Sequence, residues 1–300
     1  MIAQYLADGI ILGSSIALGA VGLTLTYNIL NFANFSHGSL LSWGAYFAWV
    51  VVVAFSGVQG GTFGPLSFGW PFVAALVFSG VMTALLALVV DWLVFRILRK
   101  SNIQVALVIA SFGASLLLRN LIVLVFGPEP QYYSDNIQIA QQILPGVRVT
   151  PDQIFVVVLS IVLVVVLHLF LTRTKLGKAM RATADNAALA QVSGINIHAI
   201  VRWTWVVGAS LAAVAGVFFG LTVQILPDMG FNLVLFLFSA AILGGIGSIY
   251  GAILGGLVIG IASDLSVLFF SPAYKPAIAF AIMILVLLVR PSGILGEKAR

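Results

Sequence analysis

The sequence predicts an all-α fold: a polytopic bundle of transmembrane helices. Two observations carry this. Of 300 residues, 61% are hydrophobic and only 8% are charged, against about 25% charged in an ordinary soluble domain. Such a chain cannot cover a surface that faces water. The apolar residues also fall in long continuous runs, not in the alternating ten-residue pattern of a membrane barrel. A helical span takes about 20 apolar residues, so residues 1–300 are read as a single transmembrane domain with no room for a large soluble one.

The runs come in order. Tyr5 to Tyr27 is the first, with Gly9, Gly13, Gly19 and Gly22 along it, small residues that let helix backbones approach in lipid. Residues 1–28 hold no Lys or Arg and no clear cleavage site, so this run is expected to stay as a span. A polar interruption comes next, with Asn28, Asn31, Asn34, Ser36 and His37 before Gly38. Irregular polar backbone at membrane depth belongs inside protein or along a wet cavity, so 28–38 is read as re-entrant or broken. Leu40–Phe55, Pro71–Val94, Ile103–Phe126, Ile154–Leu171 and Trp203–Ile225 are the next five runs, with a Gly-rich loop at 56–69. Leu233–Leu243, the glycines of 244–251 and Ala252–Phe270 come after them, and 233–251 is the second segment read as re-entrant or broken. Ala277–Val289 closes the series.

Charge orients the bundle. Of 14 Lys and Arg, 11 lie in 96–100, 172–202 and 290–300, and the positive-inside rule sends these to the cytoplasm. The loop 127–152, with Glu129, Asp135 and Asp152 against Arg148, goes outside. About nine crossings result, eight to ten being compatible with the pattern, with the N-terminus outside and the C-terminus cytoplasmic. The net charge of +5 sits at helix ends and is no nucleic-acid footprint.

Residues 172–202 organise the rest. Arg173, Lys175, Lys178, Arg181 and Arg202 face one acid, Asp185, so the segment lies in water. Its alanines favour helix, Gly194 suits a helix stop, and Asn196 suits the cap of a second short helix. The segment is therefore read as a helix–turn–helix beside the membrane, with a solvated basic loop as the alternative. Arg181 and Asp185, four apart, share a face.

Other chemistry is thinly supplied. No phosphate-binding loop occurs, since Leu176-Gly-Lys-Ala179 lacks the first Gly and the hydroxyl. His37, His168 and His198 are scattered without carboxylates at ligand spacing, there is no Cys, and no nucleophile–base arrangement stands out. No metal or catalytic residue is assigned. Ionisable groups within runs are candidates by default. Asp91 is expected to pair with Arg96. Arg119 is expected to snorkel outward or to pair with Asp264, contact with a ligand being the other reading. The stretch Gly22-Leu-Thr-Leu-Thr with Asn31–Asn34 is faintly similar to Gly220-Leu-Thr-Val-Gln with Pro227-Asp-Met-Gly, the kind of paired interruption found in transporter repeats.

A set of motifs in register resembles one family. Phe35-Ser-His37-Gly38 with Asn31, Arg181-Ala182-x-x-Asp185-Asn186, Gly194-Ile195-Asn196, Ile242-Leu-Gly-Gly-Ile-Gly-Ser-Ile-Tyr-Gly251 and Arg290-Pro-Ser-Gly-Ile-Leu-Gly296 look like the permease subunits of branched-chain amino-acid ABC importers. The likeness spans nearly the whole chain. The family's usual Asn-Phe-Ala-His-Gly has Ser36 here at the Ala. The resemblance implies a non-enzymatic translocation subunit of a bacterial inner (plasma) membrane. Arg181, Ala182, Asp185, Asn186, Gly194, Ile195 and Asn196 would couple it to the ATPases. It implies two cytoplasmic ATPase subunits holding ATP and Mg, with no cofactor on this chain. It also implies a second homologous permease or second copy, and a periplasmic substrate-binding protein. Asn31, Asn34, Ser36, His37 and Gly38 are candidates for the substrate pathway, with a purely structural role as the alternative. Homologues also carry urea and short amides, so these stay open beside neutral amino acids. An ion-coupled secondary transporter is the rival from another class, disfavoured by the thin supply of intramembrane carboxylates.

Overall fold

The computed structural model describes residues 1–55, 62–99, 103–134, 138–290 and 292–296. Lys100, Asp135 and Pro291, together with the tail from 297 and much of the 56–69 loop, lie outside the described residues.

Twelve α-helices occur in order among the described residues. They are α1 Ile2–Leu30, α2 Ser36–Ala54, α3 Trp70–Val90, a π-helical turn Asp91–Phe95 closed by α4 Arg96–Leu98, α5 Gln104–Phe126, α6 Pro151–Arg173, α7 Lys175–Asp185, α8 Ala187–Val192, α9 Ile197–Thr222, α10 Met229–Gly244, α11 Ile249–Leu265 and α12 Lys275–Val289. Eight stretches are long and apolar enough to cross a membrane; Met229–Gly244 is apolar but shorter. The polytopic bundle matches the sequence reading. The departure from an all-helical chain is a small hairpin, β1 Gln141–Leu144 with β2 Val147–Val149, inside the polar 127–152 loop.

α1 is the central post. It packs along α11 and α9, with α6 and α10 beside it. Its seam with α11 is made of small residues: a β-carbon on Gly256 would overlap the backbone of Ala17, and one on Gly260 that of Gly13. Lipid supplies no hydrophobic drive between helices, so close backbone contact holds such a seam. Outward faces stay apolar, as at Val77, Leu124, Ile161 and Leu288.

The two ends of the bundle are tied differently. At one end Gln4 bonds Asp8 and both backbone polar groups of Arg148, joining α1 to the hairpin. Asp152 accepts from the Ser67 N–H and hydroxyl and from Gln138. At the other, basic end, Asn28 donates to the Gly247 carbonyl at 2.7 Å, and the segment after α12 pairs with the end of α10 through Ile294 to Leu243. The motifs at 242–251 and 290–296 thus meet beside the end of α1.

Two helices start inside the bundle. α1 stops at Asn31, held in the left-handed region at φ 55. The chain turns back, and α2 begins at Ser36, level with Gly19 and Gly22 of α1. After α9, the chain breaks through Pro227 and Asp228, and α10 begins at Met229 beside α2. The similar stretches around 22–34 and 220–230 therefore precede the same event, a helix begun at depth. Within 233–251 the break is confined to 245–248, where Gly245 and Gly247 take φ of 106 and 103, while 233–244 is continuous helix.

Three expectations need correction. Asp91 pairs with Arg99, at 2.6 Å, not Arg96; the π-turn from Asp91 to Phe95 inserts extra backbone and re-aims the side chains beyond it. Arg119 pairs with Asp228, not Asp264, which binds Lys275 instead; similar depth on two runs does not make neighbours. Asn196 caps no separate short helix but α9 itself, whose first turns, with His198 and Arg202, run straight into the span.

Candidate functional site

The basic segment folds by local capping. Thr174 accepts from the Gly177 N–H and starts α7. Asn186 ends α7 and starts α8, its side chain accepting from Leu189. That break in the Ala-rich stretch escaped the sequence reading, which ran helix from Ala179 through Val192; an Asn preceded by Asp was its signal. Gly194 lies at φ 87, with Gly194 N–H to Gln191 and Ile195 N–H to Ala190, the paired bonds of a glycine C-terminal cap. Asn196 then accepts from Ala199. Gly194, Ile195 and Asn196 together set the angle between α8 and α9.

α7 has two faces. Gly177, Met180 and Thr183 are buried, three apart, so they form one stripe. Met180 shares a small cavity with Leu25, Asn28 and Ile29 of α1, so α7 rests on the inner end of the central post. Lys175, Lys178, Arg181 and Asp185 point outward. Arg181 and Asp185 form no ion pair, and Ala182 is half-buried between them. α8 projects further: Leu189 is 64% and Val192 87% exposed. The sequence reading missed these two, although apolar residues three apart in a water-facing helix are a docking signal.

The polar break between α1 and α2 is sealed. Asn34 accepts from the Ser36 N–H at 3.1 Å and its hydroxyl at 2.6 Å, starting α2. His37 is fully buried and bonds the Gly19 carbonyl at 3.1 Å through Nε2, which fixes that nitrogen as donor. Gly38 abuts Gly230. Asn34, Ser36, His37 and Gly38 thus face the interior of this chain, and Asn31, exposed, caps the end of α1. In this arrangement Asn34, Ser36, His37 and Gly38 pack within the break.

On the opposite end, Tyr133 is buried and donates to the Ala45 carbonyl at 2.9 Å; burial holds its phenol well above the usual tyrosine range. With Ser67, Gln138, Asp152 and Thr222 it borders an open cavity of about 400 Å³. No cluster of metal-ligating side chains occurs among the described residues.

A helical membrane bundle carrying a two-helix elbow fits a transport permease, and the comparisons name the family. Residues 5–287 match the family model described as "Branched-chain amino acid transport system / permease component", and this chain belongs to that family. It is 36% identical to the high-affinity branched-chain amino acid transport system permease protein BraD of Pseudomonas aeruginosa, over 98% of this chain and 95% of that one. It is 34% identical to the corresponding permease protein LivH of Escherichia coli K12, with the same coverage. Among solved structures, PsaBC from Streptococcus pneumoniae in complex with Fab is more distantly similar: 14% identity, TM-score 0.49, over 96% of this chain and 92% of that one.

Proposed function

We propose that this chain is one of two translocation subunits of an ATP-driven importer for branched-chain or other neutral amino acids. A periplasmic binding protein delivers the substrate on the hairpin side. Two cytoplasmic ATPases, holding ATP and Mg, dock on α7 and α8. The chain sits in a bacterial inner membrane with its N-terminus outside and its C-terminus in the cytoplasm. The observation that carries this reading is the elbow: exposed Leu189 and Val192 on α8, an exposed cationic face on α7, and a buried face locked onto α1. Arg181, Ala182, Asp185 and Asn186 present the docking surface, while Gly194, Ile195 and Asn196 hold its angle. A rigid lever of this kind passes ATPase closure to the bundle as rigid-body motion.

The test is uptake into proteoliposomes holding this chain, its second permease, the ATPases and the binding protein. Labelled leucine should accumulate only with ATP and all partners, with alanine and proline competing. Uptake driven by an ion gradient without ATPases would overturn the reading. Competition by urea but by no amino acid would move the chain to the amide carriers.

A further inference from the structure

One face of the bundle is unlike the rest of its outer surface. On α5, Arg119 makes a two-point ion pair with Asp228, which precedes α10: Nε to Oδ1 at 2.5 Å and Nη2 to Oδ2 at 2.8 Å. Both side chains stay open, 36% and 45% exposed. Arg119 lies within an apolar helix, seven residues or about 10 Å by helix rise before the end of α5. Trp43 bonds the Leu118 carbonyl, and α2 runs on from Trp43 for about 17 Å by helix rise before it ends. Among the described residues the other two ion pairs, Asp91–Arg99 and Asp264–Lys275, sit at helix ends with carboxylates at most 8% exposed.

A half-open ion pair against hydrocarbon is costly, and intramembrane charges face bundle interiors or wet cavities. Its surroundings add chemistry. Asn232, one turn along α10, is exposed. Phe231 and Phe112, 38% and 43% exposed, have ring centres 6.3 Å apart. Phe112 lies seven residues before Arg119, hence on the same face of α5. Arg119 Nη1 has no acceptor among the described residues, and each Asp228 oxygen receives a single bond from Arg119.

We propose that Arg119 and Asp228, with Phe112 and Phe231, form a transit subsite for a zwitterionic amino acid on the water-filled path. This rests on the function proposed above and deepens it. Nη1 takes the substrate carboxylate, an Asp228 lone pair takes the ammonium, and the two phenyl rings take an aliphatic side chain. Because the pair satisfies itself when empty, the subsite holds no uncompensated charge and releases substrate readily.

The test has two arms, both on the complete transporter in proteoliposomes. In the first, Arg119→Gln and Asp228→Asn should each cut maximal leucine uptake at least tenfold at saturating loaded binding protein, while ATPase stimulation by the loaded binding protein persists. The swap Arg119→Asp with Asp228→Arg keeps an ion pair; recovery of normal maximal uptake in it would make the pair structural and overturn the proposal. The second arm uses the absence of Cys from the chain. With cysteine-free partners, Phe231→Cys should react with a water-soluble cationic thiosulfonate, leucine should slow the reaction at least threefold, and outward-facing Val162→Cys should stay unlabelled. Silence at Phe231→Cys overturns the proposal, meaning that lipid or the second permease covers this face. If the parent transporter carries no amino acid while Phe231→Cys is labelled, the proposed function fails and the wet path stands.

Discussion

Gly38 and Gly230 touch backbone to backbone: a β-carbon built on either would overlap the other's carbonyl oxygen. Ser42 fastens the same crossing, accepting from the Gly230 N–H at 2.9 Å and donating to the Pro227 carbonyl. Gly38→Ala or Gly230→Ala must push α2 from α10. Overpacking of this kind costs about 1–3 kcal/mol. We expect a lower unfolding temperature in detergent for both variants and impaired uptake. A control alanine at Gly113, in the interior of α5 where nothing lies within 4 Å, should not lower the unfolding temperature, since Ala is the better helix residue.

Gly194 meets no neighbour within 4 Å, yet sits at φ 87. Substitution there is a matter of backbone strain, not space. A β-branched residue is a genuine outlier at such an angle, and the left-handed conformation costs an L-residue roughly 1–2 kcal/mol. Gly194→Val should therefore swing α8 relative to α9 and uncouple ATP hydrolysis from transport. Gly194→Asn, which tolerates the angle, should retain most coupling. Substrate-stimulated ATPase activity set against uptake measures this; normal coupling in the Val variant would refute it.

Leu189 and Val192 are mostly exposed, at 64% and 87%. Leu189→Asp and Val192→Asp should leave the unfolding temperature of the isolated permease within about 1 °C, because surface changes away from special features move stability by less than about 0.5 kcal/mol. Both should weaken co-purification of the ATPase subunits. Undiminished co-purification would remove α8 from the docking surface.

Asp91 is 8% exposed beside Arg99 at 24%. Removing one partner of a buried pair costs about 3–5 kcal/mol, because the other charge is left without compensation; the partial exposure of Arg99 places Asp91→Ala toward the lower figure. Asp91→Ala with Arg99→Leu, which removes both charges, should recover much of the loss. Thermal unfolding of the three variants checks the order.

How much of the molecule was legible in the chain depended on the range of the interaction. The basic segment could be placed in water because five cations cannot sit in hydrocarbon, and the Gly194 stop and Asn196 cap obey rules spanning three or four residues. The long reach of α9 was missed because His198 and Arg202 made Ile197 to Arg202 read as part of the basic segment, although four of those six residues are apolar. The partner of Arg119 was beyond reach: Asp228 is 109 residues away, and only the fold brings the start of α10 to the middle of α5. Polar residues at 31–38 were visible as a break, but their burial depends on Gly19, Gly22 and Gly230, which the sequence does not mark as their neighbours.

α10 has 16 residues, so it extends roughly 24 Å, short of the ~30 Å hydrocarbon thickness. Its first turn is covered by α2, and α2 in turn lacks its lid until α10 is made. α2 is long and apolar enough to cross by itself, but its seat against α10 forms only once α10 is made. Ser36 to Ser42 therefore reach their final packing only after the ribosome has translated past Gly230, and a nascent chain arrested earlier would hold α2 without that partner.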